Sequence, residues 1–260
     1  MAPSGLGPEA GRADMKHLVR RRARQAMRVA LEPVRLLGPG ARRWTEARVN
    51  ARGKRYIPPG LGVRGFFAAL EAAGVAHVVL RWFEELPHVA RGHDVDILVS
   101  DEGMAVVDGL LSYWPRGQQI DVFSVSGANG GGFRPDLLGD SVPGFPPAIA
   151  AEILETRRAG HGPWGIPAPR QHALGLAYHA VYLKGYQSGL PPDGKRPPRQ
   201  KGSRDYDSVL RQLAPGAGLD LPDEITLESL DGYLAAQGWR PERAHLEALK
   251  PFNRWLSERP

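Results

Sequence analysis

The sequence predicts an α/β (α+β) fold: a small sheet with flanking helices, followed by a mostly helical C-terminal part. Two observations carry this. Between residues 63 and 125, short apolar β-branched runs alternate with segments of helical periodicity. From residue 148 onward the periodicity is helical throughout. A composition of 42% hydrophobic and 24% charged residues is that of a chain able to bury a sizeable core.

The elements follow in order. Residues 63–73 form an amphipathic helix, closed by Gly74 as the residue after the C-cap. Residues 75–80 (VAHVVL) read as a buried strand. A loop covers residues 81–93, and residues 95–99 inside DVDILV form the second strand. A helix over residues 103–113 and a turn at 115–117 lead to a third strand at 120–125 (IDVFSV). Residues 126–147 form a Gly/Pro-rich loop. Helices are expected over 148–158, 169–185, 206–213, 225–237 and 241–257. The polar segment 187–204 carries four prolines and reads as a flexible insertion or lid. The second Asp-x-Asp of the chain, Asp205-Tyr206-Asp207, reads as a helix start with Asp205 as N-cap.

The charge is uneven. The whole chain carries +6, residues 16–64 carry +12 and residues 1–15 carry −1, which leaves −5 on the rest. This predicts a basic arm over 1–60, a sheet domain over 61–160 and a helical domain over 161–260. Leu18, Met27, Leu31 and Val34 lie on one side of a basic amphipathic segment. It reads as a solvated tail, as a peripheral contact of residues 16–55 with an anionic membrane, or as a segment that grips an acidic partner. The acidic body argues against nucleic acid as a partner. With no cysteine, a thiolate zinc site, an Fe–S cluster and a cysteine nucleophile are excluded. No run of 18 apolar residues and no apolar leader occurs, so a cytoplasmic protein is expected.

The chemistry concentrates on Asp94, Asp96 and Asp121. Alternate side chains of a strand share a face, so Asp94 and Asp96 point one way while Val95, Ile97 and Val99 point into the core. Two carboxylates on one face suit Mg²⁺ or Mn²⁺, hard cations that take oxygen ligands. Asp121 opens the next strand and approaches the same spot if the two strands are neighbours. Three converging acids need a cation to offset their repulsion, and one of them can then serve as base toward a hydroxyl.

The order VVLR, a loop ending in GHDVDILV, a helix and IDVFSV resembles the nucleotidyltransferase superfamily of the DNA polymerase β type. It is closest to the bacterial nucleotidyltransferase-like proteins, over residues 63–185. The segment PAPRQHALGLAYHAVYLKG resembles the helix that follows the sheet in those proteins. The resemblance implies a mixed sheet and metal-dependent transfer of a nucleotidyl group from a nucleoside triphosphate to an acceptor hydroxyl. It places the metal ligands on Asp94 and Asp96 and the third acid on Asp121.

One departure stands out. Members of the family carry Gly-Ser or Gly-Gly at the turn after the first strand, where this chain has Arg81-Trp82-Phe83. Arg81 reads either as a phosphate ligand or as a structural partner of Glu84, Glu85 or Asp94. This departure keeps a nucleotide-sugar donor open, and the basic arm keeps a non-catalytic scaffold open. His179 and Lys184 are further substrate-binding candidates; the alternative is a satisfied core histidine and a snorkelling lysine.

Overall fold

The computed structural model describes residues 55–112, 117–133, 142–202 and 204–259. The basic amphipathic segment and turn residues Pro115 and Arg116 lie outside the described residues. The architecture is mixed α/β, with one four-stranded mixed sheet and eight α-helices among the described residues.

The sheet contains β1 (Arg55–Ile57), β2 (His77–Val79), β3 (Val95–Val99) and β4 (Gln118–Ser124), in the order β1-β4-β3-β2. β3 and β4 are parallel, and both outer pairings are antiparallel. Alternation along β3 sorts its side chains. Val95, Ile97 and Val99 pack with Phe66, Phe67 and Leu70 of α1 (Gly62–Ala72) and with Met104 and Val107 of α2 (Met104–Leu110). Leu98 faces the other way, with Val78 and Phe123, and packs against the helical half. Asp96 shares that second face by the same alternation.

The helical half comprises α3 (Pro147–Glu155), α4 (Pro169–Tyr178), α5 (Tyr206–Ala217), α6 (Leu227–Ala236), α7 (Arg243–Leu249) and α8 (Arg254–Ser257). Prolines stand in the first turn of α3 and α4, where a missing N–H costs no helical bond. The Asp205 side chain accepts a hydrogen bond from Ser208 N and caps α5, as expected from sequence. Tyr178, Tyr182, Leu210, Leu227 and Leu230 share one core with Val78, Leu98 and Phe123 of the sheet. Sheet and helices therefore close on each other across the face that carries Asp96.

Four differences from the sequence reading have physical reasons. β1 extends the sheet before Pro58-Pro59, because Arg55 is anchored to Asp108 at 2.8 Å and Tyr56 pairs with Ser112. A two-stranded hairpin, β7 (Arg158–Ala159) and β8 (Gly165–Ile166), follows α3; another, β5 (Gly132–Phe133) with β6 (Val142–Pro143), lies within the Gly/Pro-rich loop. The single helix expected over 241–257 is interrupted at Lys250–Phe252, where Pro251 cannot donate a helical bond. The helix expected over 169–185 widens into a π-helical segment at His179–Lys184.

That π-helical segment has a local cause. The amide of Asn253, itself buried, donates to the carbonyls of Val181 and Tyr182 at 2.8 and 2.9 Å. A side chain thus satisfies carbonyls that the wider turn leaves behind. Gly185 then ends the segment at φ 54°, with Asn253 so close that a Cβ there would collide with its amide. No helix among the described residues is long and apolar enough to cross a membrane.

Candidate active site

The three aspartates converge. Asp96 and Asp121 are direct partners in the parallel β3–β4 register, so their side chains leave the same face side by side. Asp94 precedes β3 by one residue and lies on that face too. One carboxylate oxygen from each of the three lies within 4.8 Å of the others. Asp96 is buried, Asp94 half-buried and Asp121 exposed, so the cluster opens to solvent on the Asp121 side. Gln119 Nε2 donates to Asp94 Oδ2 at 3.4 Å and orients that carboxylate.

Burial is the largest influence on Asp96 and raises its pKa from 3.8 to about 7. The Arg81 guanidinium opposes this, while the charges of Asp94 and Asp121 add to it; Lys184 acts in the same sense as Arg81. The carboxyl group is therefore short of positive charge even with a guanidinium against it. The three carboxylates offer hard oxygen donors and could hold a metal ion.

Arg81 has an ion-pair partner other than those weighed from the sequence. Its structural partner is none of Glu84, Glu85 and Asp94; its Nη2 lies 2.6 Å from Asp96 Oδ1. Both groups are almost dry, Arg81 at 7% exposure and Asp96 at 5%. The sequence shows an arginine at the end of β2 but not the antiparallel β2–β3 pairing that sets it beside Asp96.

The turn after β2 keeps the backbone shape that glycine favours. Trp82 sits at φ 55°, ψ 27°, the left-handed region, where a bulky residue is strained. Its indole is held between Arg204, whose guanidinium lies 4.5 Å over the ring, and the edge of Tyr206 at 6.4 Å. Arg204 is fixed in turn by Glu85 and by His93 Nδ1, each at 2.8 Å. The end of the polar segment 187–204 is thereby pinned beside the loop that carries Trp82.

His179 and Lys184 enter the site from the π-helical segment. The His179 ring stacks on Tyr206, with centroids 6.0 Å apart. Burial first, then the charges of Arg81 and Lys184, hold its pKa well below the ordinary 6.5, so the ring is neutral at neutral pH. Its Nδ1 is buried and has no hydrogen-bond partner among the described residues. Among the described residues His179 is therefore not a fully satisfied core histidine. The Lys184 charge reaches both Asp96 and His179. Among the described residues no carboxylate lies within ion-pair distance of Lys184.

Sequence reasoning missed Tyr206, Trp82 and Arg204 as parts of this wall. Tyr206 reads as the first residue of a helix, and no spacing rule links it to His179, 27 residues earlier. His88, His161 and His172 take no part in the cluster; His172 packs against Phe83 instead. Gly130–Gly132 form a turn and a strand start against Ser124, not a phosphate loop. No family model, curated protein or solved structure matches the chain.

Proposed function

We propose that the chain is a metal-dependent enzyme of the nucleotidyltransferase fold, transferring a nucleotidyl group from a nucleoside triphosphate to an acceptor hydroxyl. The observation that carries this reading is the in-register pair Asp96 and Asp121 on parallel neighbouring strands, with Asp94 completing a carboxylate cluster. Asp94 and Asp96 would hold the ion, Mg²⁺ or Mn²⁺. When bound, such an ion offsets the charge that builds on a reacting phosphoryl group.

The remaining work falls to side chains. Arg81 and Lys184 bring positive charge to the phosphoryl oxygens, and the Arg81 fork suits two oxygens at once. Asp121, the exposed member of the cluster, accepts the proton of the attacking hydroxyl. The hydroxyl oxygen bonds to the α-phosphorus as the bond to the pyrophosphate oxygen breaks, and pyrophosphate leaves.

The test is donor turnover with Mg²⁺ over a panel of nucleoside triphosphates and nucleotide-sugars, reading pyrophosphate or nucleotide release. The expected result is pyrophosphate release from at least one triphosphate, lowered at least about 100-fold in Asp94→Asn and Asp96→Asn. Release from nucleotide-sugars alone would assign the other donor class, which the Arg81-Trp82 turn in place of two small residues favours. Equal turnover in the wild type and both variants would refute the carboxylate mechanism.

A further inference from the structure

The Arg81–Asp96 pair creates a conflict inside the proposed metal centre. Asp96 is the buried member of the carboxylate cluster, and its Oδ1 is already taken by a guanidinium at 2.6 Å. A divalent cation and Arg81 compete for the same carboxylate. If the cation takes it, Arg81 is left as a buried charge without a counter-ion, which is costly at 7% exposure. Arg81 forms no second ion pair among the described residues.

The same site holds groups suited to an anion. Lys184 has no carboxylate partner among the described residues, and its charge reaches Asp96 and His179. His179, 4% exposed, has a buried Nδ1 with no partner among the described residues and sits in the field of both cations. The neutral ring can present that nitrogen as an N–H donor. Two cations and an unsatisfied buried nitrogen make a set that a tetrahedral oxyanion completes.

We propose that Arg81 is a two-position cation that couples the two halves of the site: paired with Asp96 as in the structure, it turns to a phosphoryl oxyanion shared with Lys184, and so releases Asp96 to a divalent cation. Cation and anion then bind cooperatively, each making the other's site available. Linkage requires the coupling to be equal in both directions. The donor's phosphoryl group is thus a condition for tight metal binding, beyond being a ligand of the metal. This inference rests on the metal-centre reading above and adds the order of assembly to it.

The test uses Mn²⁺ as the cation and sulfate as a weakly chelating stand-in for a phosphoryl group. Mn²⁺ affinity of the full chain is measured by paramagnetic resonance titration in chloride and in saturating sulfate at matched ionic strength. The expected result is at least about fivefold tighter Mn²⁺ binding in sulfate, with sulfate tightened by Mn²⁺ to the same extent. Arg81→Gln should bind Mn²⁺ in chloride more tightly than the wild type and lose the response to sulfate. Lys184→Gln should not weaken the chloride affinity and should lose most of the sulfate response, and it remains informative if Arg81→Gln does not fold. Equal wild-type affinity in the two salts overturns the coupling but leaves the metal centre standing, as does a weakened chloride affinity in Arg81→Gln. Absence of Mn²⁺ binding in both salts removes the metal-centre reading itself.

Discussion

At the scale of single residues, Asp94 and Asp96 differ in what they do for the fold. Asp94 adds repulsion to a buried neighbour, whereas Asp96 is the counter-ion of a buried arginine. Asp94→Asn should therefore abolish metal binding while leaving the metal-free melting temperature unchanged or raised. Above a pH of about 7, where the Asp96 carboxylate is ionised, Asp96→Ala should cost about 3 kcal/mol in chemical denaturation, because it strands Arg81. Equal losses in the two variants would contradict this division. Trp82 gives a second test, since its backbone is left-handed. Both Trp82→Gly and Trp82→Ala lose the contacts to Arg204 and Tyr206, but only glycine relieves the backbone. Trp82→Gly should exceed Trp82→Ala in stability by about 1 kcal/mol, the reverse of their order in a helix. The carboxylate face was legible because strand alternation is a rule of geometry. The partner of Arg81 was not, because a strand pairing chooses it.

At the scale of elements, the π-helical segment connects the C-terminus of the chain to the site. Asn253 satisfies two carbonyls in the turn between His179 and Lys184 and also caps α8. Asn253→Leu should cost about 2–3 kcal/mol, since it leaves buried carbonyls and a helix start unpaired. It should also weaken sulfate binding through Lys184 while leaving the aspartates in place, which separate denaturation and sulfate titrations would show. A stability loss with unchanged sulfate affinity would mean that Asn253 does not position Lys184. The sequence pattern revealed a helix over this segment, with Pro169 at its start and Gly185 at its end. Its widening was hidden, because the cause lies about 70 residues away in sequence. The interrupted final helix was legible in principle from Pro251. The hairpins β5–β6 and β7–β8 were not, since two-residue strands carry no periodicity.

At the scale of the whole molecule, the sheet and the helices meet across the face that bears the site, so the site's ionisation enters global stability. Burial raises the Asp96 pKa from 3.8 to about 7 against the pull of Arg81, so the ion pair with Arg81 forms as the carboxyl group ionises. Between those values the folded state binds more protons than the unfolded one, and stability contributed by this group falls as pH rises. The Asp96→Asn melting temperature should therefore rise relative to the metal-free wild type as pH goes from 3.8 to about 7, then run parallel to it. A constant difference across that window would show that Asp96 ionises normally.

A divalent cation held by Asp94, Asp96 and Asp121, as proposed, can be observed directly. Crystals of the full chain grown with Mn²⁺ and sulfate would be examined by anomalous diffraction at the manganese edge. The expected result is an anomalous peak about 2.1 Å from carboxylate oxygens of both Asp94 and Asp96, the distance typical of a small hard divalent ion. A map with no peak at the cluster, and Arg81 still seated on Asp96, would contradict it.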